Sequence, residues 1–172
     1  MQGLSLEVGV GSLDTEIRRY ENNLAITGLG TIAFGIWSII KTLLSFYLDE
    51  SEIMALIDTT ADEVIVVKVT IVLIFVALAI DLALRLYTGL RAVAEGRGRK
   101  SGKAYIVISG ILALVALLNV IFYCNLPEFI EDDMDIVDRI VAFIFEASIF
   151  ITQLELMVSA IKLKKLQRGR QV

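Results

Sequence analysis

The chain has 172 residues, 56% of them hydrophobic, with 16 basic and 20 acidic side chains and a formal net charge of −4. That length suits one compact domain. With no histidine and a single cysteine, Cys124, it excludes Cys/His zinc sites, histidine-ligated haem and an intrachain disulfide, and no cofactor is expected.

Residues 1–23 form an N-terminal segment without the apolar core and small-residue cleavage site of a signal peptide, so the first helix is expected to be retained. Ser12 suits an N-cap, with Asp14 and Glu16 in the favourable first turn. The segment is expected either to lie along the membrane surface or to extend the first span. Four apolar runs follow, Leu24–Leu48, Val64–Leu90, Ala104–Cys124 and Ile140–Ile161. Each is long enough, at about 1.5 Å per residue, to cross a hydrocarbon core of about 30 Å. A soluble four-helix bundle would need a polar face on every helix. Ala104–Cys124 offers only Ser109, Asn119 and two tyrosines, which excludes that alternative. The predicted fold class is therefore an all-α membrane protein, a four-transmembrane-helix bundle over residues 24–161 with a basic tail over 162–172.

Charge between the runs is segregated. The second connection carries Arg97, Arg99, Lys100 and Lys103, and the tail carries Lys162, Lys164, Lys165, Arg168 and Arg170. The first and third connections, 49–63 and 125–139, hold six acids each and only one base, Arg139. The positive-inside rule puts the basic side and both termini in the cytoplasm, most simply at the plasma (inner) membrane. Each acidic connection is expected to form a short interfacial helix, Glu50–Asp58 and Glu128–Asp138, the second opened by Pro127. The basic clusters suit anionic lipid headgroups. They are short and double as topology signals, so nucleic acid is not expected as a partner.

A weak duplication is visible. Ile26-Thr27-Gly28 matches Ile108-Ser109-Gly110 at an offset of 82, and Thr88-Gly89-Leu90-Arg91 matches Ser159-Ala160-Ile161-Lys162 at an offset of 71. These matches read as two tandem helical hairpins related by an axis along the membrane normal.

The remaining information lies in the polar residues that interrupt the runs. In the first span Thr27, Thr31, Gly35, Ser38, Thr42 and Ser45 share one face, which reads either as a close-packing stripe or as the wall of a hydrated path beside Lys41. The second span has Lys68 near its outer end and Asp81 with Arg85, one turn apart and able to pair, toward its inner end. The fourth span has two polar faces. Ser148, Thr152, Glu155 and Ser159 line one, Ala142, Glu146, Gln153 and Ala160 the other, while Phe143, Phe150, Leu154, Val158 and Ile161 are expected to meet lipid. One chain readily covers only one such face, so an oligomer or another membrane protein is expected at the fourth helix.

Intramembrane acids are costly enough to be functional candidates, and the expected pairs are Glu146 with Lys41 or Lys68, and Glu155 with Arg85. The candidate ligand or ion path thus comprises Glu146, Glu155, Asp81, Arg85, Lys41, Lys68 and Gln153. The expected function is a non-enzymatic channel or transporter-like subunit for a cation; the alternative is an accessory or scaffold subunit of a larger membrane complex. An enzyme acting on lipid would need an acid–base carboxylate pair, for which only Glu155 with Asp81 is placed.

Overall fold

The computed structural model describes residues 2–48, 61–125 and 136–169. They form four helices: α1 (Gln2–Leu48), α2 (Ala61–Gly96), α3 (Ala104–Asn125) and α4 (Ile136–Gly169). All four are long and apolar enough to cross a membrane, and no strand occurs among the described residues. The fold is that of an all-α, four-span integral membrane protein. The two interfacial helices expected at Glu50–Asp58 and Glu128–Asp138 fall wholly or largely on positions outside the described residues.

The helices outrun the apolar stretches because hydropathy marks where lipid is crossed, whereas backbone hydrogen bonding continues wherever the side chains tolerate it. This is clearest in α1. It runs unbroken from Gln2 through Ser12, so Ser12 sits inside a helix and is not its N-cap, and the segment before the span extends the first helix. At the other extreme α2 stops sharply. Gly98, at φ +79°, takes the left-handed conformation that costs glycine nothing. Around it the Arg99 N–H donates to the Ala94 carbonyl at 3.0 Å and the Gly98 N–H to the Glu95 carbonyl at 2.9 Å. This is a Schellman stop, which satisfies carbonyls the helix end would leave bare. Five residues later the Ile106 N–H donates to the Lys103 carbonyl at 3.1 Å and α3 begins.

Around the bundle α1 packs on α2 and on α4, and α4 packs on α3, while α2 and α3 meet only weakly. The tightest seam is α1·α2. Lipid offers no hydrophobic force to bring helices together, so close approach of small residues must do it. A Cβ on Gly89 would stand 2.6 Å from the Gly28 carbonyl oxygen, and one on Gly96 would stand 2.5 Å from that of Glu21. Neither position has room for a side chain. The small-residue stripe foreseen in α1 does pack: Thr27, Thr31 and Gly35 are buried, Ser38 and Thr42 half-buried. Its hydroxyls turn back on their own helix, Thr27 onto the Asn23 carbonyl at 2.8 Å and Thr42 onto the Ser38 carbonyl at 3.0 Å, a common way to silence a hydroxyl in lipid. The side chain of Ser45 lies outside the described residues.

The apolar core gathers at the basic end, from Ile17, Leu24, Ala92, Tyr105, Leu156, Ala160 and Leu163. Toward the acidic end α1 and α4 stay joined by Phe34, Trp37 and Phe145, with Phe34 edge-on to Phe145 at 5.3 Å. The part of α2 near the acidic end is left largely bare, Val72 and Leu73 being 60% and 62% exposed. Two pairs of positions matched in the internal repeat are alike in burial, Thr27 with Ser109 and Thr88 with Ser159, whereas Ile26 is exposed and Ile108 half-buried. The hairpins pack differently in detail, since Gly28 meets the Gly89 backbone and Gly110 faces the Met157 sulfur.

Candidate functional site

Three polar clusters occupy the spans and their basic ends. The innermost ties three helices. The Ser109 hydroxyl of α3 donates to Gln153 Oε1 of α4 at 2.8 Å, and Gln153 Nε2 donates to Thr31 Oγ1 of α1 at 3.4 Å. Thr31 in turn donates to the Thr27 carbonyl at 3.0 Å. All three side chains are buried, so at this level α1, α3 and α4 are joined by polar bonds inside the bundle.

The second cluster is Asp81 with Arg85 on α2. Arg85 Nε and Asp81 Oδ2 are 2.7 Å apart, the pairing expected of residues one turn apart. Arg85 is buried against Gly35 of α1, where the absence of a side chain makes room for its methylenes. Its Nη1 is buried without a hydrogen-bond partner. A charged group that is only partly matched in lipid is costly, so buried Arg85 depends on Asp81 and the site has little tolerance for change.

The third cluster stands at the basic end. Lys164 of α4 reaches the α2–α3 turn, donating to the Gly102 and Ser101 carbonyls at 3.0 Å and 3.3 Å. The same ammonium lies 3.6 Å from buried Glu95 Oε2 and 5.2 Å over the Tyr105 ring. One lysine therefore fixes the turn, the end of α2 and the start of α3 on α4. Beside it opens a cleft of about 350 Å³ lined by Arg99, Lys100, Lys103 and Arg168.

The sequence-derived site is only partly assembled. Asp81 and Arg85 pair and Gln153 sits at the buried junction. Glu155 and Arg85 do not pair: Arg85 is buried against Gly35 of α1 and pairs with Asp81, whereas Glu155 is exposed. Glu146 pairs with neither lysine. Lys41 stands one turn beyond Trp37, which meets Phe145, and Lys68 lies on the part of α2 near the acidic end, which is largely bare. Lys41 and Lys68 are both exposed, and Glu146 is half-buried about two turns from Gln153 toward the acidic end, on the same side of α4.

Glu155 is exposed on the flank of α4 away from Gln153, with no ion pair or hydrogen bond among the described residues. Of the two polar faces of α4, Gln153 and Ala160 of one are buried in the bundle. The other is divided. Ser159 is buried and Thr152 meets Gly30 of α1, whereas Ser148, bonded back to the Ile144 carbonyl at 2.7 Å, and Glu155 stay on the open side. Glu95, Tyr105 and Lys164 escaped sequence reasoning as a group. In the sequence Lys164 reads only as one charge of the basic tail, and it is the turn geometry that brings it to Glu95 and Tyr105.

The class that fold and clusters define is a four-span, all-α integral membrane protein. No family model, curated protein or solved structure matches the chain.

Proposed function

We propose that the protein is a non-enzymatic subunit of a membrane assembly, that it associates with copies of itself along α4, and that a cation moves along the contact. The observation carrying this reading is Glu155, an exposed acid within an apolar span. It lies about 10 Å from Lys162 along the helix, beyond the reach of a short carboxylate side chain toward the interface. A bare carboxylate facing hydrocarbon is costly, and a second protein surface or a shared hydrated seam relieves that cost. Because Thr31, Gln153 and Ser109 are buried and bonded to one another while Glu155 is exposed, this reading runs the path between chains, past Glu155 and Ser148. The basic end faces the cytoplasm of a cell membrane in this reading, with both termini inside.

Purified protein in liposomes then passes a monovalent cation, and Glu155→Gln lowers the flux severalfold, with a smaller loss for Glu146→Gln. Flux unchanged by both substitutions rules out the path. A second reading, an accessory subunit of a larger complex, is favoured by the bare outer part of α2 and an apolar groove of about 300 Å³ beside it, lined by Ile39, Leu43, Phe75 and Leu82. Recovery of a stoichiometric, different membrane protein under gentle affinity purification, with no self-association, selects that reading.

A further inference from the structure

The geometry points to a built binding site for one anionic phospholipid at the basic end of the α3·α4 seam. The cleft there is about 350 Å³ in volume, within the range of small-molecule sites of about 300–1,000 Å³. Its one acid, Glu95, is already matched by Lys164, whose ammonium is also shared with the Ser101 and Gly102 carbonyls. Lys164 is thus a strut, and its charge is consumed. Arg99, Lys100, Lys103 and Arg168 remain, with no ion pair among the described residues. Four unmatched cations around one concavity repel each other unless an anion joins them.

Two features fix their position. The Schellman stop at Gly98 turns the chain at Arg99 and Lys100, and the Lys164 strut holds that turn down on α4, so the concavity is set by the turn's backbone and one anchored lysine. Its lower rim is the distinguishing feature. Lys103, Lys164 and Arg168 also line a second hollow of about 380 Å³, which continues along the seam over Ile106, Val107 and Ile161. Val107 and Ile161 are 63% and 51% exposed on spans that cross the membrane. Cations above and an apolar groove below match a phosphate headgroup above and an acyl chain below, in the leaflet where basic residues meet anionic lipid. A water-soluble phosphate would use the cations and leave the groove empty. The occupant is therefore the lipid.

The test is native mass spectrometry of the detergent-solubilised full chain titrated with phosphatidylglycerol or phosphatidylcholine, with glycerol 3-phosphate as the soluble competitor. One phosphatidylglycerol is retained per chain in preference to phosphatidylcholine. The triple variant Arg99→Gln, Lys103→Gln, Arg168→Gln weakens its retention about a hundredfold, at about fivefold per basic residue. Arg168→Gln alone, in the exposed last turn of α4, weakens it about fivefold and leaves the fold intact. Val107→Trp, which fills the apolar groove, weakens it without altering charge. Equal retention of the two lipids overturns the proposal. So does an equal loss in the Arg18→Gln, Arg19→Gln variant, whose cations are exposed on α1 outside the cleft, because that marks general charge attraction. Displacement of the lipid by equimolar glycerol 3-phosphate overturns it as well, in favour of a soluble-phosphate site.

Discussion

The basic half of the bundle and the acidic half are held by different forces. In the basic half glycines bring α1 and α2 to backbone contact, hydroxyls and Gln153 join three helices, and a lysine strut fastens the turn. In the acidic half α1 and α4 meet through aromatic rings, and α2 makes few contacts. The contrast follows from the solvent. Within lipid, apolar surface gains nothing by turning inward, so helices stay together only where small residues or polar groups give them a reason. Apolar residues such as Val72 and Leu73 supply none, and they are left facing outward.

Substitutions that break the basic half are expected to cost most. Gly89→Leu puts side-chain atoms where the Gly28 carbonyl and Ile32 already stand, and should destabilise by about 3 kcal/mol, the upper end of the usual overpacking range. Reversible unfolding in mixed detergent micelles measures it. Asp81→Ala leaves buried Arg85 without its partner. Asp81 retains 31% side-chain exposure, so the loss is expected near 2 kcal/mol, below the about 3–5 kcal/mol of fully buried pairs. Adding Arg85→Leu to the Asp81→Ala background should recover most of it.

Gln153→Leu removes the junction of α1, α3 and α4 and is expected to cost about 1 kcal/mol, since interhelical hydrogen bonds in membranes average about 0.6 kcal/mol each. A double-mutant cycle with Ser109→Ala should return a coupling of that order. The smallest effect belongs to the acidic half. Leu73→Ala, at a 62% exposed position, should change the unfolding free energy by less than about 0.5 kcal/mol. A loss there as large as that at Gln153 would erase the contrast between the halves.

Much of this fold is legible in the run of residues, and the reason is physical. A helix that crosses lipid must be apolar over about 20 residues, so Ala104–Cys124 nearly coincides with α3. The constraint ends at the interface, which is why Leu24–Leu48 understates α1 by more than 20 residues. The i,i+4 pair Asp81–Arg85 was readable because one helix fixes its geometry. The cross-helix pairs were not. Depth and polarity nominate Glu155 and Arg85 alike, but which helices are neighbours depends on where backbones approach, and the glycines that decide it, Gly28, Gly89 and Gly96, carry no charge to draw notice. The basic cleft was legible as charge and illegible as shape, since its form comes from one positive-φ glycine and one lysine reaching across the turn.

The division of the polar surface of α4 into a buried and an open face carries the functional account, and cysteine cross-linking in native membranes tests it most directly. In a Cys124→Ser background, Ile151→Cys places a thiol one turn from Glu155 on the exposed flank of α4, and Leu114→Cys places one on the exposed side of α3. The account predicts an oxidant-dependent dimer of this chain from Ile151→Cys, weakened when Glu155→Gln is added, and none from Leu114→Cys. A monomer at both positions, or equal dimer from both, would contradict it.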